Sequence, residues 1–272
     1  MSVRRKMALA AGSAAGFHAL RTFKSVARAN SPLRRYWEKH LLDTLRDLDM
    51  AVAAGGELPL IYVAFGDSAA QGLGADNETE GYVPVIAAGI KQASGREVAL
   101  LNMALSGATA TSVLVTQIPQ LRGLTIASEA VEPDIVTLDI GGNDTTVKEL
   151  PATEFEHIFN EVARELPRGT FIGDVPTFRP LKVAERASDF ARIMREQTRL
   201  AGHHVIGLEA LSDTLSTPEY MIKYHAPDLF HPNSPWYALW AQEYLDAICD
   251  ENNWPRVVVD ELPQWTPWRF ER

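Results

Sequence analysis

Four short runs in this chain carry side chains that can do acyl chemistry. They are Gly66-Asp67-Ser68, Ser106-Gly107, Gly141-Gly142-Asn143-Asp144 and Asp228-Leu229-Phe230-His231. Acyl transfer by a serine needs a hydroxyl, a base to take its proton and a group that orients the base. It also needs donors aimed at the oxyanion that develops on the carbonyl oxygen. Ser68 offers the hydroxyl, on a turn where Gly66 allows a sharp exit from a strand. His231 offers the base, because imidazole is suited to take up and return a proton near neutral pH. Asp228, three residues earlier, reaches the far ring nitrogen if that loop folds back on itself. The Ser68 N–H, the Gly107 N–H and the Asn143 side-chain amide are the expected oxyanion donors, and a glycine at 107 lets the backbone approach a substrate closely.

Such residues act together only if the scaffold gathers them. From residue 59 the pattern is strand, loop, helix, repeated, with apolar candidate strands at Leu60–Phe65, Val98–Met103, Asp134–Ile140, Thr170–Val175 and His204–Leu208. Helical segments are predicted near 82–94, 153–166 and 185–201. A last one follows Ser234-Pro235, where a proline in the first turn marks a helix start. Alternating strands and helices predict a parallel sheet covered on both faces. In such sheets ligands bind beyond the carboxyl ends of the strands, near the point where strand order reverses. Each of the first three runs follows its own strand, and the fourth lies between the fifth strand and the last helix.

Taken singly, each run has a plainer reading. Ser68 could cap a helix, Gly141-Gly142-Asn143-Asp144 could be an ordinary strand-to-helix turn, and His231 before Pro232 could be a loop residue. Their order and their positions after strands favour the catalytic reading. In that order the chain resembles the SGNH hydrolase superfamily, the GDSL esterases and lipases, over about residues 58–250. The resemblance implies an α/β fold: a three-layer α/β/α sandwich, flavodoxin-like, with a five-stranded parallel sheet. It implies carboxylic ester hydrolysis with Ser68, Gly107, Asn143 and His231 as the family's four functional residues and Asp228 as the orienting acid. It implies no metal and no organic cofactor, and a small ester or acylated molecule, lipid or acylated sugar, as substrate. Ala69 stands where the family signature has leucine, a packing position beside the turn. An acyltransferase using the same residues, and an SGNH-like module that binds without turnover, are the alternative readings. The intact Ser, Gly, Asn, His and Asp set points away from the second.

Among the other candidates, His225 shares the loop of His231 but has Ile222 where an orienting acid would stand, so it is expected as a pocket wall. His203-His204 begins the fifth strand at the opposite end of the sheet, and adjacent strand residues face opposite ways. No metal site is therefore expected there. Tyr220, Tyr224, Phe230 and Trp236 are expected to line a substrate pocket. Gly72-Leu73-Gly74 lacks the third glycine and the Lys-Ser/Thr of a nucleotide loop and is expected as a flexible wall of the site. Asp144 is expected to hold its turn.

Outside residues 58–250 two further segments are expected. Residues 1–57 form a basic leader plus an accessory helix whose Trp37, Leu41, Leu45 and Leu48 share one face. Residues 251–272 form an aromatic tail, with Trp254, Trp265, Trp268 and Phe270, folded back as an irregular strap. The first 39 residues hold nine Lys or Arg against one acid, Glu38, which leaves −17 on the remainder of a chain with net charge −9. An acidic body gives no reason to expect nucleic acid. The leader has three readings: an atypical export signal, a basic amphipathic helix at an anionic membrane surface, or a loosely docked segment. The expected location is accordingly cytoplasmic or peripheral to a membrane, with export still open. No uncharged apolar run approaches the roughly 18 residues that span a bilayer. The single cysteine, Cys249, excludes an intrachain disulfide and reads as a small core residue.

Overall fold

A computed structural model describes residues 32–228 and 230–271, so the expectations for the leader through residue 31 lie outside the described residues. Five parallel strands form the main sheet: β1 (Leu60–Gly66), β2 (Val98–Asn102), β3 (Ile135–Asp139), β4 (Phe171–Gly173) and β5 (His204–Ile206). Their order is β2-β1-β3-β4-β5. β1 is thus flanked by β2 and β3, and the chain reverses its direction of travel across the sheet at β1 and β3, where a crevice opens. The strands read as continuous apolar runs because both faces are covered; every residue of β1, β2 and β3 is buried.

The first helix spans 32–53 and is α1; then come α2 (Tyr82–Ser94) and a helical stretch from Ala110 to Arg122. Next are α3 (Ala152–Glu165), α4 (Ala184–Leu200), α5 (Leu208–Asp213), α6 (Thr217–Lys223) and α7 (Ser234–Asn252). One face of the sheet is covered by α2 and α7 around Tyr62, Tyr82, Tyr244 and Ile248. The other is covered by α3 and α4, where the Phe155 and Phe190 rings stack at 3.9 Å. Each fully buried Phe or Leu of these layers contributes about 1.5–3 kcal/mol. α7 starts where its Asn233 cap accepts the Trp236 N–H, with Pro235 in the first turn, and Cys249 is buried in it.

α1 runs beside the outer strand β2. Its Trp37 and Leu48 are buried, and His40 donates from Nε2 to the Leu100 carbonyl at 2.9 Å. An unpaired strand edge is thereby covered and one of its carbonyls satisfied. Burial, aided by the nearby Arg269 guanidinium, lowers the His40 pKa to about 4, so the ring is neutral. Residues 254–271 contain no strand and one short helical turn; Trp265 packs on Trp37 and His40.

Two differences from the expected elements have local causes. β5 ends at Ile206, because Gly207 turns the chain into α5, whose Glu209 N–H is accepted by Asp174 Oδ1 at 2.8 Å. Leu208 is therefore the first residue of a helix and not the last of a strand. The stretch 110–122, for which the sequence predicts no element, is helical with a wider π-type turn at Val113–Gln117.

Candidate active site

Ser68 follows β1 on a turn that only glycine permits. Gly66 has φ +149°, and a Cβ there would lie 2.6 Å from the Asp139 carbonyl oxygen of the paired strand. The turn is then fastened from outside. Gln117, carried by the π-type turn, accepts the Gly66 N–H at 2.9 Å and donates to the Gly66 carbonyl at 2.8 Å. Asp67 Oδ1 accepts the Ala69 N–H at 2.9 Å. Gln71 donates to the Ala104 carbonyl, and Asn102 donates to that of Ala70, tying the loops after β1 and β2 together.

The loop before α7 folds back on itself. Ala226 N–H donates to the His231 carbonyl at 2.8 Å, and His225 faces Pro232 in a bridge. Within it, Asp228 Oδ1 accepts the N–H groups of Phe230 and His231, each at 3.0 Å, and Asp228 Oδ2 accepts from His231 Nδ1 at 2.6 Å. The other ring nitrogen, Nε2, lies 2.9 Å from Ser68 Oγ. Burial works against ionising Asp228, but these hydrogen bonds and the adjoining imidazole outweigh it, and its pKa falls below the usual value. Residues 163 positions apart thus meet as one hydrogen-bonded line: serine, imidazole, carboxylate.

The meeting is made close by Gly74. Its φ is +99°, and a Cβ would fall 2.2 Å from the Pro232 carbonyl oxygen and 3.1 Å from the His231 Cβ. The segment expected as a flexible wall is instead a tight seat under the histidine loop. Gly74→Ala is expected to destabilise the protein by about 2–5 kcal/mol through left-handed backbone strain and overpacking. It should also lower kcat by about 100-fold as His231 is displaced. Thermal melts and ester turnover check this, and wild-type values for both would refute the seat.

The expected oxyanion donors stand differently from one another. Neither the Ser68 nor the Gly107 N–H donates a hydrogen bond among the described residues, so both are available. The Asn143 amide is not: Nδ2 donates to Asp67 Oδ2 and to the Ala108 carbonyl, each at 2.9 Å. Asp144, expected to hold its own turn, instead accepts the Ala110 N–H and so ties that turn to the start of the 110–122 helix.

A cleft opens beside Ser68, walled by Ala69, Pro176, Phe178, Tyr220, His225, Phe230, Trp236 and Trp240, with Asp67 and Asp139 also lining it. Tyr220, Phe230 and Trp236 are walls as expected. Tyr224 is not a wall; it packs behind Trp236 at 5.2 Å, because its helix presents Tyr220 to the cleft instead. His225 is a wall, its Nδ1 bonded to the Tyr220 carbonyl. His203 lies far off, with Nδ1 accepting the Thr170 N–H and Nε2 donating to the Ala163 carbonyl. Among the described residues no group of three or more His, Cys, Asp or Glu is arranged to hold a metal ion.

Two residues of this region, Gln117 and Asp139, escape the sequence reading, as does the bond that Asp67 accepts from Asn143. Asp139, a carboxyl at the carboxyl end of an apolar strand, was the readable one. Burial raises its pKa far above the usual range, with Asp67 and Asp174 adding repulsion. Burial likewise raises Asp67 and Asp144 from 3.8 to about 6. For each, the folded state keeps a proton that the unfolded chain releases above pH 3.8. Their contribution to stability is full below that pH and is lost as pH rises through about 6. Asp144→Asn keeps an acceptor for Ala110 and removes the titration. Denaturant unfolding should show its stability falling by up to about 3 kcal/mol less than wild type between pH 4 and 7. Parallel pH dependences would overturn this.

Residues 64–239 match the GDSL-like Lipase/Acylhydrolase family. Solved structures with the same fold include the lipase/acylhydrolase from Enterococcus faecalis, at 17% identity and TM-score 0.55, covering 73% of this chain and 98% of that one. The psychrotrophic esterase EstA from Pseudoalteromonas sp. is similar at 20% identity and TM-score 0.53, covering 71% and 98%. Axe2, an acetylxylan esterase from Geobacillus stearothermophilus, is similar at 15% identity and TM-score 0.52, covering 70% and 94%. No curated protein sequence matches the chain. The family match takes in the serine turn, the Gly107 and Asn143 loops and the histidine loop, and the chain belongs to the GDSL-like lipase/acylhydrolase family, as a carboxylic ester hydrolase acting on small esters or lipids.

Proposed function

We propose that the chain hydrolyses carboxylic esters through an acyl-Ser68 intermediate. The observation that carries this reading is the line Ser68 Oγ, His231 Nε2, His231 Nδ1, Asp228 Oδ2, at 2.9 and 2.6 Å. His231 takes the Ser68 proton as Oγ attacks the ester carbon and returns it to the leaving alcohol. It then takes a proton from the water that releases the acid. Asp228 holds the tautomer with hydrogen on Nδ1 and stabilises the imidazolium. The Ser68 and Gly107 N–H groups receive the oxyanion. Asn143 joins them by exchanging its bond to Asp67 for one to the substrate oxygen. The similar EstA was solved in a form inhibited by monoethylphosphonate, which supports a phosphonate reagent as the test. A fluorophosphonate probe should label the full chain on Ser68, read by peptide mass; an unlabelled folded chain would overturn the mechanism.

Among the described residues no helix is long and apolar enough to cross a membrane. The basic residues before position 32 support a second proposal, peripheral contact with an anionic membrane surface. The full chain should sediment with phosphatidylserine vesicles at low salt and not with phosphatidylcholine vesicles. Equal recovery with both would dismiss it.

A further inference from the structure

The layer between the sheet and α2 and α7 holds an unusual number of polar aromatic groups. Three have their hydroxyls placed: Tyr237 donates to the Leu73 carbonyl at 2.7 Å, Tyr244 to that of Leu138 at 2.9 Å, and Tyr62 shares a bond with Thr137 at 2.8 Å. Three buried polar atoms in the same layer have no partner among the described residues: Asp139 Oδ2, Trp240 Nε1 and Tyr82 OH. They are neighbours. The Tyr82 ring lies 5.8 Å from that of Trp240, and Asp139 is the charge that acts most strongly on the Tyr82 phenol. A buried polar group without a partner costs about 1–3 kcal/mol, so three together call for an explanation. Two of the three residues, Asp139 and Trp240, face the cleft beside Ser68; they are 6% and 3% exposed.

We propose that Asp139 and Trp240, backed by Tyr82, form an acyl subsite that selects short acyl groups carrying a hydroxyl. The inference rests on the acyl-Ser68 reading and names the substrate class of that site. Its chemistry follows from the donor set. An indole N–H only donates, so an ammonium group finds no partner there. A carboxylate would have to be buried in a cleft where no lysine or arginine stands among the lining residues to pair with it. A neutral oxygen that both accepts and donates suits the two groups that face the cleft: it accepts from Trp240 and exchanges hydrogen bonds with Asp139, which Tyr82 backs. Burial keeps the Asp139 carboxyl protonated, which gives it a hydrogen to donate. The subsite takes the acyl side because the alcohol must leave toward solvent while the acyl group stays on Ser68. The inner wall of the cleft suits the part that stays.

The experiment compares 4-nitrophenyl 3-hydroxybutyrate with 4-nitrophenyl butyrate on the full chain. The hydroxylated ester should have the higher kcat/KM by about 10-fold or more, since a site built to hydrogen-bond a hydroxyl discriminates against its absence. Asp139→Leu and Trp240→Phe should each bring that ratio close to one, and Asp139→Asn, which stays polar, should keep more of it than leucine does. If Asp139→Leu does not fold, Trp240→Phe, which removes the indole N–H and keeps an aromatic ring, decides. A wild-type ratio near one overturns the subsite, as does a ratio unchanged in every variant, which would leave these groups to structural water only. Preference that follows the alcohol when the acyl group is held constant overturns it too. In each of these results the enzyme still labels with fluorophosphonate and cleaves butyrate. An unlabelled, inactive wild type refutes the acyl-serine mechanism and the subsite together.

Discussion

Replacing Ser68 by alanine is expected to lower kcat for a simple ester by about 10⁴–10⁶-fold while leaving the fold in place. In the proposed mechanism the hydroxyl forms the acyl intermediate, and its loss would leave His231 Nε2 without the Oγ that lies 2.9 Å away. The oxyanion donors and the cleft survive the change, so a residual rate above that of water should remain. The turn that carries Ser68 does not depend on its side chain: Gln117 holds Gly66 from both sides and Asp67 holds Ala69. Stability should therefore change by no more than about 1 kcal/mol. Turnover, fluorophosphonate labelling and a thermal melt on one preparation separate the two effects. A folded S68A protein with turnover within tenfold of wild type would remove Ser68 from the chemistry.

The parts of the site that could be read from the sequence are those fixed by strand ends. A parallel sheet forces its loops to one edge, and an apolar run followed by glycine marks where each strand stops. Ser68, Gly107 and Asn143 were found in that way, and His231 by its place before a helix that Asn233 and Pro235 announce. The long-range ties were not readable. Gln117 reaches Gly66 only because a π-type turn aims it there, and nothing in Val113–Gln117 separates that turn from an ordinary helix. The tie between Asn143 and Asp67 joins residues 76 apart. No helix is predicted over 208–223, because its helices, Leu208–Asp213 and Thr217–Lys223, are too short to show a period. Without them the sequence does not say which of Tyr220 and Tyr224 faces the cleft.

The acids beneath Ser68 give the site a charge pattern that its motif residues do not convey. Asp67, Asp139 and Asp144 are all raised by burial, whereas Asp228 alone is lowered. The difference lies in hydrogen bonding: Asp228 accepts three N–H groups, and Asp139 accepts none among the described residues. Environments that push like groups apart are how one site holds an ionised carboxylate beside neutral acids. Here the lowered one sits behind the imidazole, 2.6 Å from His231 Nδ1, where the proposed mechanism would develop a positive charge.

Asp228→Asn tests that placement and should cost about 10⁴-fold in kcat although it is isosteric. The reason is the turn. Asp228 Oδ1 is held by the N–H groups of Phe230 and His231 at 3.0 Å, and only an oxygen can accept them. The asparagine carbonyl must therefore take that side, which points its NH2 group at His231 Nδ1. Facing a donor, Nδ1 has to accept, the ring proton moves to Nε2, and the imidazole can no longer take the Ser68 proton. The preserved turn enforces the wrong tautomer, so asparagine should be no better than alanine in kcat while melting higher than alanine. Asparagine within tenfold of wild type would show that Asp228 does not set the tautomer. Asparagine melting as low as alanine would show that Oδ1 does not hold the turn.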